Sequence, residues 1–318
     1  MRRRDFIQVL AAAGPLLAAA DSRSKRIEGI FPIAQSPFTD SDQLDLGTLL
    51  DELRFIDRGR VHGFVWPQLA SEWSTLTEAE RMAGTEAICS EGKKLRPAIV
   101  IGAQALSTPL AVQYARHAEK CGADAIIALP PPKAPPKADD ESVLMEYYSA
   151  IGKATELPLI VQAVGNMSVE TIARMSKAIP NLRYVKDEAG QPLFRLAEFQ
   201  AKTQLKIFTG SHGKTLIDEM IRGFSGSMPA APFADIYATA WDLWHEGKRR
   251  EAVETFGNAA VLIQEVTTYG TESVKYLLCL RGVFKNDRVR QAEKSKLDET
   301  GKRVLREMLD LMKPYLRA

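Results

Sequence analysis

Residues 30–40 read Ile30-Phe31-Pro32-Ile33-Ala34-Gln35-Ser36-Pro37-Phe38-Thr39-Asp40. The apolar run Ile30 to Ile33 passes into a loop, Gln35 to Asp40, without a glycine. A strand leading to a helix opens any parallel α/β fold, whether the sheet stays open or closes on itself. An open doubly wound sheet usually has a glycine-rich turn directly after its first strand, where the backbone must approach a phosphate. That turn is missing here, so the stretch points to the closed alternative, a (β/α)8 TIM barrel.

Outward from this stretch one pattern repeats. Short apolar runs alternate with helical stretches, as in parallel strands covered by crossover helices. The strand candidates are Ile30 to Ile33, His62 to Trp66, Pro97 to Ile101, Asp124 to Leu129, Pro158 to Gln162, Leu182 to Lys186, Leu205 to Thr209 and Gly223 to Met228. Several are apolar on both faces, as strands buried under helices must be. Thr77 and Glu80 form a capping box, and Thr108-Pro109 puts proline where its missing N–H costs nothing. The barrel is expected over residues 28–235. From Ile236 to Tyr315 the pattern is helical, ending in an amphipathic stretch with Val304, Leu305, Met308, Leu309 and Met312. Residues 236–318 therefore read as C-terminal helices packed on the barrel.

The 318 residues are 45% apolar and 26% charged, enough for a large core and unlike a disordered chain. The net charge of +2 resides in the first twenty residues, where Arg2, Arg3 and Arg4 meet a single Asp5. The remainder is neutral, so no basic surface recommends nucleic acid as a partner. Arg3-Arg4-Asp5-Phe6-Ile7, with the mostly apolar run Val9 to Ala20 behind it, looks like a twin-arginine export signal over residues 1–20. The run is too short to span a bilayer and ends in Ala18-Ala19-Ala20, which suits a signal peptidase. The expected location is the periplasm, with no membrane attachment after signal removal. Cys89, Cys121 and Cys279 lack metal-type spacing and read as buried apolar residues. His62, His117, His212 and His245 form no paired metal motif. Neither a metal nor another cofactor is expected.

In a barrel, chemistry gathers at the carboxyl ends of the strands. Lys186 ends the sixth candidate, Leu182-Arg183-Tyr184-Val185-Lys186, and alternation puts it on the face of Leu182 and Tyr184, toward the barrel mouth. Apolar walls disfavour an ammonium, and the neutral amine is what attacks a ketone. The competing reading is a strand-end lysine paired with Asp187 or Glu188 in solvent.

Tyr184-Val185-Lys186-Asp187-Glu188 resembles the strand-six lysine segment of the dihydrodipicolinate synthase and N-acetylneuraminate lyase family. Ser71-Glu72-Trp73-Ser74-Thr75-Leu76-Thr77 looks like that family's glycine-glutamate segment after strand two. Phe208-Thr209-Gly210-Ser211 resembles its strand-seven glycine, and Gly223-Phe224-Ser225-Gly226-Ser227 its strand-eight glycine turn. The resemblance covers about residues 28 to 315. It implies a barrel with three C-terminal helices, commonly a homotetramer (a dimer is the other expectation), and Schiff-base aldolase chemistry on pyruvate-like 2-oxo acids, with Lys186 as the amine.

The resemblance also marks departures. Family members typically move protons with a strand-five tyrosine, and in Leu159-Ile160-Val161-Gln162 the glutamine stands in its place. Glutamine donates and accepts hydrogen bonds but does not titrate near neutrality, so Gln162 can orient a substrate or a water. The following loop is short and lacks the arginine that synthase members use for a second carboxylate, which argues against dihydrodipicolinate synthesis itself. Leu69 and Ala70 stand where paired hydroxyl residues are usual, leaving backbone N–H groups to cradle the substrate carboxylate. Ser71 could add a hydroxyl, and Glu72 either moves protons or braces its loop. His212, beside Gly210 and Ser211, is the candidate for the vacant proton-transfer role. The candidate set is thus Lys186, Gln162 and His212 for chemistry, with Leu69, Ala70, Ser71, Glu72, Gly210, Ser211 and Gly226 around the substrate. Pro130 to Lys137 reads as a stiff spacer, and Trp66 and Trp73 as either an aromatic wall or core.

Three functions compete. The first is a lyase making or breaking a carbon–carbon bond through a Lys186 Schiff base. The second uses the same Schiff base for dehydration or deamination. The third is an exported ligand-binding barrel without turnover.

Overall fold

The computed structural model describes residues 25–132, 140–291 and 297–318. The proposed export signal and most of the polyproline run lie outside the described residues. Eight parallel strands follow one another around the sheet: β1 (Gly29–Ile30), β2 (Gly63–Trp66), β3 (Ala98–Gly102), β4 (Ala125–Ala128), β5 (Leu159–Ala163), β6 (Leu182–Asp187), β7 (Lys206–Thr209) and β8 (Gly226–Ser227). β1 pairs with β8. A parallel bridge between Ile33 and Val65 brings the chain after β1 against β2 and closes the ring. All eight strand candidates correspond to these strands, the first and last being shorter than their apolar runs.

Helices α1 (Leu46–Arg58), α2 (Glu78–Gly92), α3 (Thr108–Cys121), α4 (Glu141–Gly152), α5 (Val169–Ala178), α6 (Pro192–Lys202), α7 (Leu216–Arg222) and α8 (Ala234–His245) alternate with the strands. Thr77 and Glu80 cap α2 reciprocally, and Pro109 sits in the first turn of α3. The boundary expected at 235 cuts α8, which packs against β1 and belongs to the barrel. Beyond it lie α9 (Arg249–Asn258), α10 (Ala260–Tyr269), α11 (Thr271–Leu280) and α12 (Glu299–Met312). α9 and α10 meet at Ala259, whose backbone stays in the right-handed helical region. On α12, Leu305, Leu309 and Met312 are buried, as the amphipathic pattern requires.

The core has two layers. Phe31, Val65, Val100, Ile127, Ile160 and Phe208 fill the barrel interior, while Trp66, Ile101, Ile126, Val161 and Val185 pack outward under the helices. Trp66 is fully buried in the outer layer and donates its indole N–H to Ser36 Oγ, so it is core and not a wall of the site. Strict alternation fails once, in β6. Its register with β5 shifts between Leu182 and Tyr184, leaving Arg183 as the extra residue. Leu182 therefore packs outward, whereas Tyr184 faces the interior. A one-residue bulge exchanges the faces on either side of it.

Candidate active site

The carboxyl ends of the strands surround a small cavity of about 130 Å³. Ile33, Leu69, Ala70, Met228, Ala230 and Val274 give it apolar walls, and Gln68, Gln162, Lys186, Glu188, Ser211 and His212 supply its polar groups. Val274 comes from α11, so the C-terminal helices complete the site.

Lys186 is 5% exposed and sits beside Gln162 on β5 and Phe208 on β7 in the strand register. Its Nζ lies 3.1 Å from Glu188 Oε2. The partner is thus the carboxylate that a solvent pair would use, but the pair is enclosed. Glu188 Oε2 also accepts from Gln162 Nε2 at 2.5 Å, and Oε1 accepts the backbone N–H of Ser211 at 2.9 Å. Burial pushes the Glu188 carboxyl up, but Lys186 and these hydrogen bonds more than offset it and hold it below its ordinary value. Asp187, the other conceivable partner, points outward to Arg195 at 2.9 Å.

The candidate residues divide in two. Lys186, Gln162, His212, Leu69, Ala70 and Ser211 come together around the cavity. Ser71, Glu72, Gly210 and Gly226 are outside its lining. The Ser71 hydroxyl donates to Ala34 O and accepts from Gln68 N–H, closing the turn at Leu69–Ser71 from behind. Glu72, with a left-handed backbone (φ 56°), turns away to Lys275 of α11 and accepts the N–H groups of Arg290 and Gln291, each at 2.6 Å. It is the brace. Gly210 is needed because a Cβ there would lie 1.9 Å from Glu188 Oε1. Gly226 lets β8 approach β1, since a Cβ would lie 2.0 Å from Gly29 O.

Leu69 and Ala70 open a short turn whose first N–H groups have no partner within it, as at any helix start. The His212 carbonyl accepts the Tyr237 hydroxyl, and Ser211, His212 and Gly213 all have positive φ. Burial lowers the His212 pKa and the Lys186 charge lowers it further, against the opposing charge of Glu188. Among the described residues no group of three or more His, Cys, Asp or Glu could hold a metal. No helix there is long and apolar enough to cross a membrane. Glu188 and Gln68 were absent from the candidate set. Glu188 lies past the strand end, and Gln68 carries no motif; only the run of polar residues at strand ends hinted at them.

The family model described as the dihydrodipicolinate synthetase family matches residues 26–309. The chain belongs to this family. A 4-hydroxy-tetrahydrodipicolinate synthase of Rhizobium meliloti (strain 1021) is 31% identical over 169 residues, which is 52% of this chain and only 56% of that relative. An L-2-keto-3-deoxyarabonate dehydratase of Azospirillum brasilense is 26% identical over 277 residues, 85% of this chain and 89% of its own. Among solved structures, the 4-hydroxy-tetrahydrodipicolinate synthase of Methylacidiphilum fumariolicum SolV superposes with a TM-score of 0.81 at 22% identity, covering 91% of this chain and 97% of the other. At that identity the likeness establishes the barrel fold alone. Members of this family are lyases, so the chain is a family lyase acting on a small molecule.

Proposed function

We propose that this lyase joins Lys186 to a 2-oxo acid as a Schiff base, with Glu188 moving the protons. The observation that carries the reading is the enclosed contact of 3.1 Å between Lys186 Nζ and Glu188 Oε2 at the cavity. Attack on a carbonyl needs a neutral amine, and Glu188 is the base within reach of the ammonium. The amine nitrogen bonds to the carbonyl carbon, Glu188 returns its proton to the oxygen, a second proton passes from nitrogen to Glu188, and the hydroxyl leaves as water. Iminium and carboxylate remain. The substrate carboxylate is best received by the N–H groups of Leu69 and Ala70.

Elimination of water from the substrate is the reaction this arrangement supports best. Carbon 3 is two bonds from the imine nitrogen, so a base beside that nitrogen can take its proton. The resulting enamine expels the hydroxyl of carbon 4, which leaves as water with the proton Glu188 has just gained. Carbon–carbon cleavage instead needs a base on that hydroxyl, further out, where Gln162 cannot titrate. The dehydratase relative, similar over most of the chain, agrees with this order of preference. Incubation with 2-oxo acids followed by borohydride tests the Schiff base, and product analysis separates loss of one water from fragmentation into two molecules. Recovery of two carbon fragments in stoichiometric yield would reverse the preference.

A further inference from the structure

We infer that Tyr237, on α8 behind the site, is a positioning residue for the reaction: by holding the carbonyl of His212 it keeps the loop after β7 in the shape that hands the Ser211 N–H to Glu188. The inference rests on the Schiff-base reading above, in which Glu188 is the base, and it adds a residue outside the cavity lining.

The loop needs a hold because its own backbone is unfavourable. Ser211, His212 and Gly213 run at φ 50°, 58° and 61°, and a left-handed conformation crowds the Cβ of any residue but glycine. Two successive residues with side chains persist there only where the surroundings impose it. The loop itself contributes a hydrogen bond from Gly213 N–H to Gly210 O at 2.9 Å.

Tyr237 grips the loop from behind at two points. Its hydroxyl donates to His212 O, and its ring lies so close to Gly213 that a Cβ there would be 2.9 Å from Cε1. Tyr237 is itself held firmly: fully buried, it stacks on Phe233 with ring centres 5.7 Å apart and meets Phe256 edge-on at 5.6 Å. Burial, and after it the Glu219 charge, push its hydroxyl well above the ordinary range, so it remains a donor throughout the acid and neutral range.

In front, the same loop is tied to the base, since Ser211 N–H donates to Glu188 Oε1 at 2.9 Å. The charged and titratable groups facing Glu188 are Lys186 beside it and His212 on the loop, while Asp187 points away to Arg195. Burial pushes the Glu188 carboxyl up; the Lys186 charge and then the Ser211 N–H bring it below its ordinary value. Loosening the loop withdraws that N–H. The carboxyl then rises, and the base is lost at a higher pH than before.

The test is Tyr237→Phe in the full-length protein, which keeps the ring and removes the donor. Peptides covering Phe208 to Thr215 should exchange their amide hydrogens roughly tenfold faster, the ratio set by loss of one ordinary hydrogen bond, while those of the remote α3 exchange as before. Imine formation is followed by brief incubation with pyruvate or 2-oxopentanoate across about pH 3 to 8, quenching timed samples into borohydride at one fixed pH and weighing the Lys186 peptide. The acid limb of that rate reports protonation of the Lys186–Glu188 pair, and in Tyr237→Phe it should move up by about half to one pH unit. A loss of folded protein lowers every point alike and moves no limb. Gly213→Ala, which presses the loop away from Tyr237, should move the limb the same way. An acid limb unmoved in both variants, or loop exchange unchanged in Tyr237→Phe, overturns the inference and leaves the Schiff base standing. Labelling of Lys186 by neither acid overturns both.

Discussion

Two lysine–glutamate pairs lie at the barrel mouth, and they have opposite fates. Lys186–Glu188 borders the cavity, with an amine whose surroundings include open space. Lys275–Glu72 is sealed behind the turn at Leu69–Ser71, both side chains at most 1% exposed. Lys275 also donates to Arg288 O at 2.7 Å and lies 4.4 Å from the centre of the Phe38 ring, so it is fully engaged. On the function proposed above, identical ionic chemistry is a reactive couple where a ligand can enter and a rivet where none can. The rivet matters to the site, because it ties α11, which brings Val274, to the turn that brings Leu69 and Ala70.

This contrast can be broken at each end. Glu188→Gln removes the proton acceptor and should slow single-turnover imine formation by about 10²- to 10⁴-fold. Lys186 should still be labelled after long incubation. An unaltered rate would show that another group moves the protons. Lys275→Met should cost about 3–5 kcal/mol, read from the urea midpoint, by stranding the buried Glu72 carboxylate. Adding Glu72→Gln should recover part of that loss; no recovery would mean that packing, and not stranded charge, sets the cost.

A smaller effect sharpens the edge of the rivet. Arg290 donates to both Glu80 carboxylate oxygens, at 2.7 and 2.9 Å, and its hydrogen bonds are the main cause that holds the carboxyl at about 2. A lowered carboxyl pKa contributes stability that is complete above the ordinary value near 4.5 and is lost as pH falls toward 2. The pair lies at the surface with its side chains only partly open to solvent (11% and 17% exposed), so the contribution is on the order of 1 kcal/mol. Urea midpoints from pH 5 to 3 should fall less steeply in Arg290→Met than in the unmodified protein.

The fold was legible because parallel strands under helices leave continuous apolar runs, and because the glycine-free loop Gln35–Asp40 excluded the open sheet. The Leu182 face was misjudged because a bulge leaves no mark in a six-residue strand. The place of Lys186 at the barrel mouth was legible from its strand end. Glu188 was set aside as a solvent partner, since nothing in the chain tells that Gly210, from the next strand, makes room for its carboxylate. The role of Glu72 as a brace depends on Lys275, 203 residues away, a separation across which sequence spacing carries no geometry.

The account stands on covalent capture at one amine. Protein incubated with a 2-oxo acid, reduced with borohydride and digested should carry the reduced adduct on the peptide containing Lys186, and Lys186→Arg should carry none. An adduct elsewhere with Lys186 unmodified, or no adduct with any 2-oxo acid that binds, would contradict it.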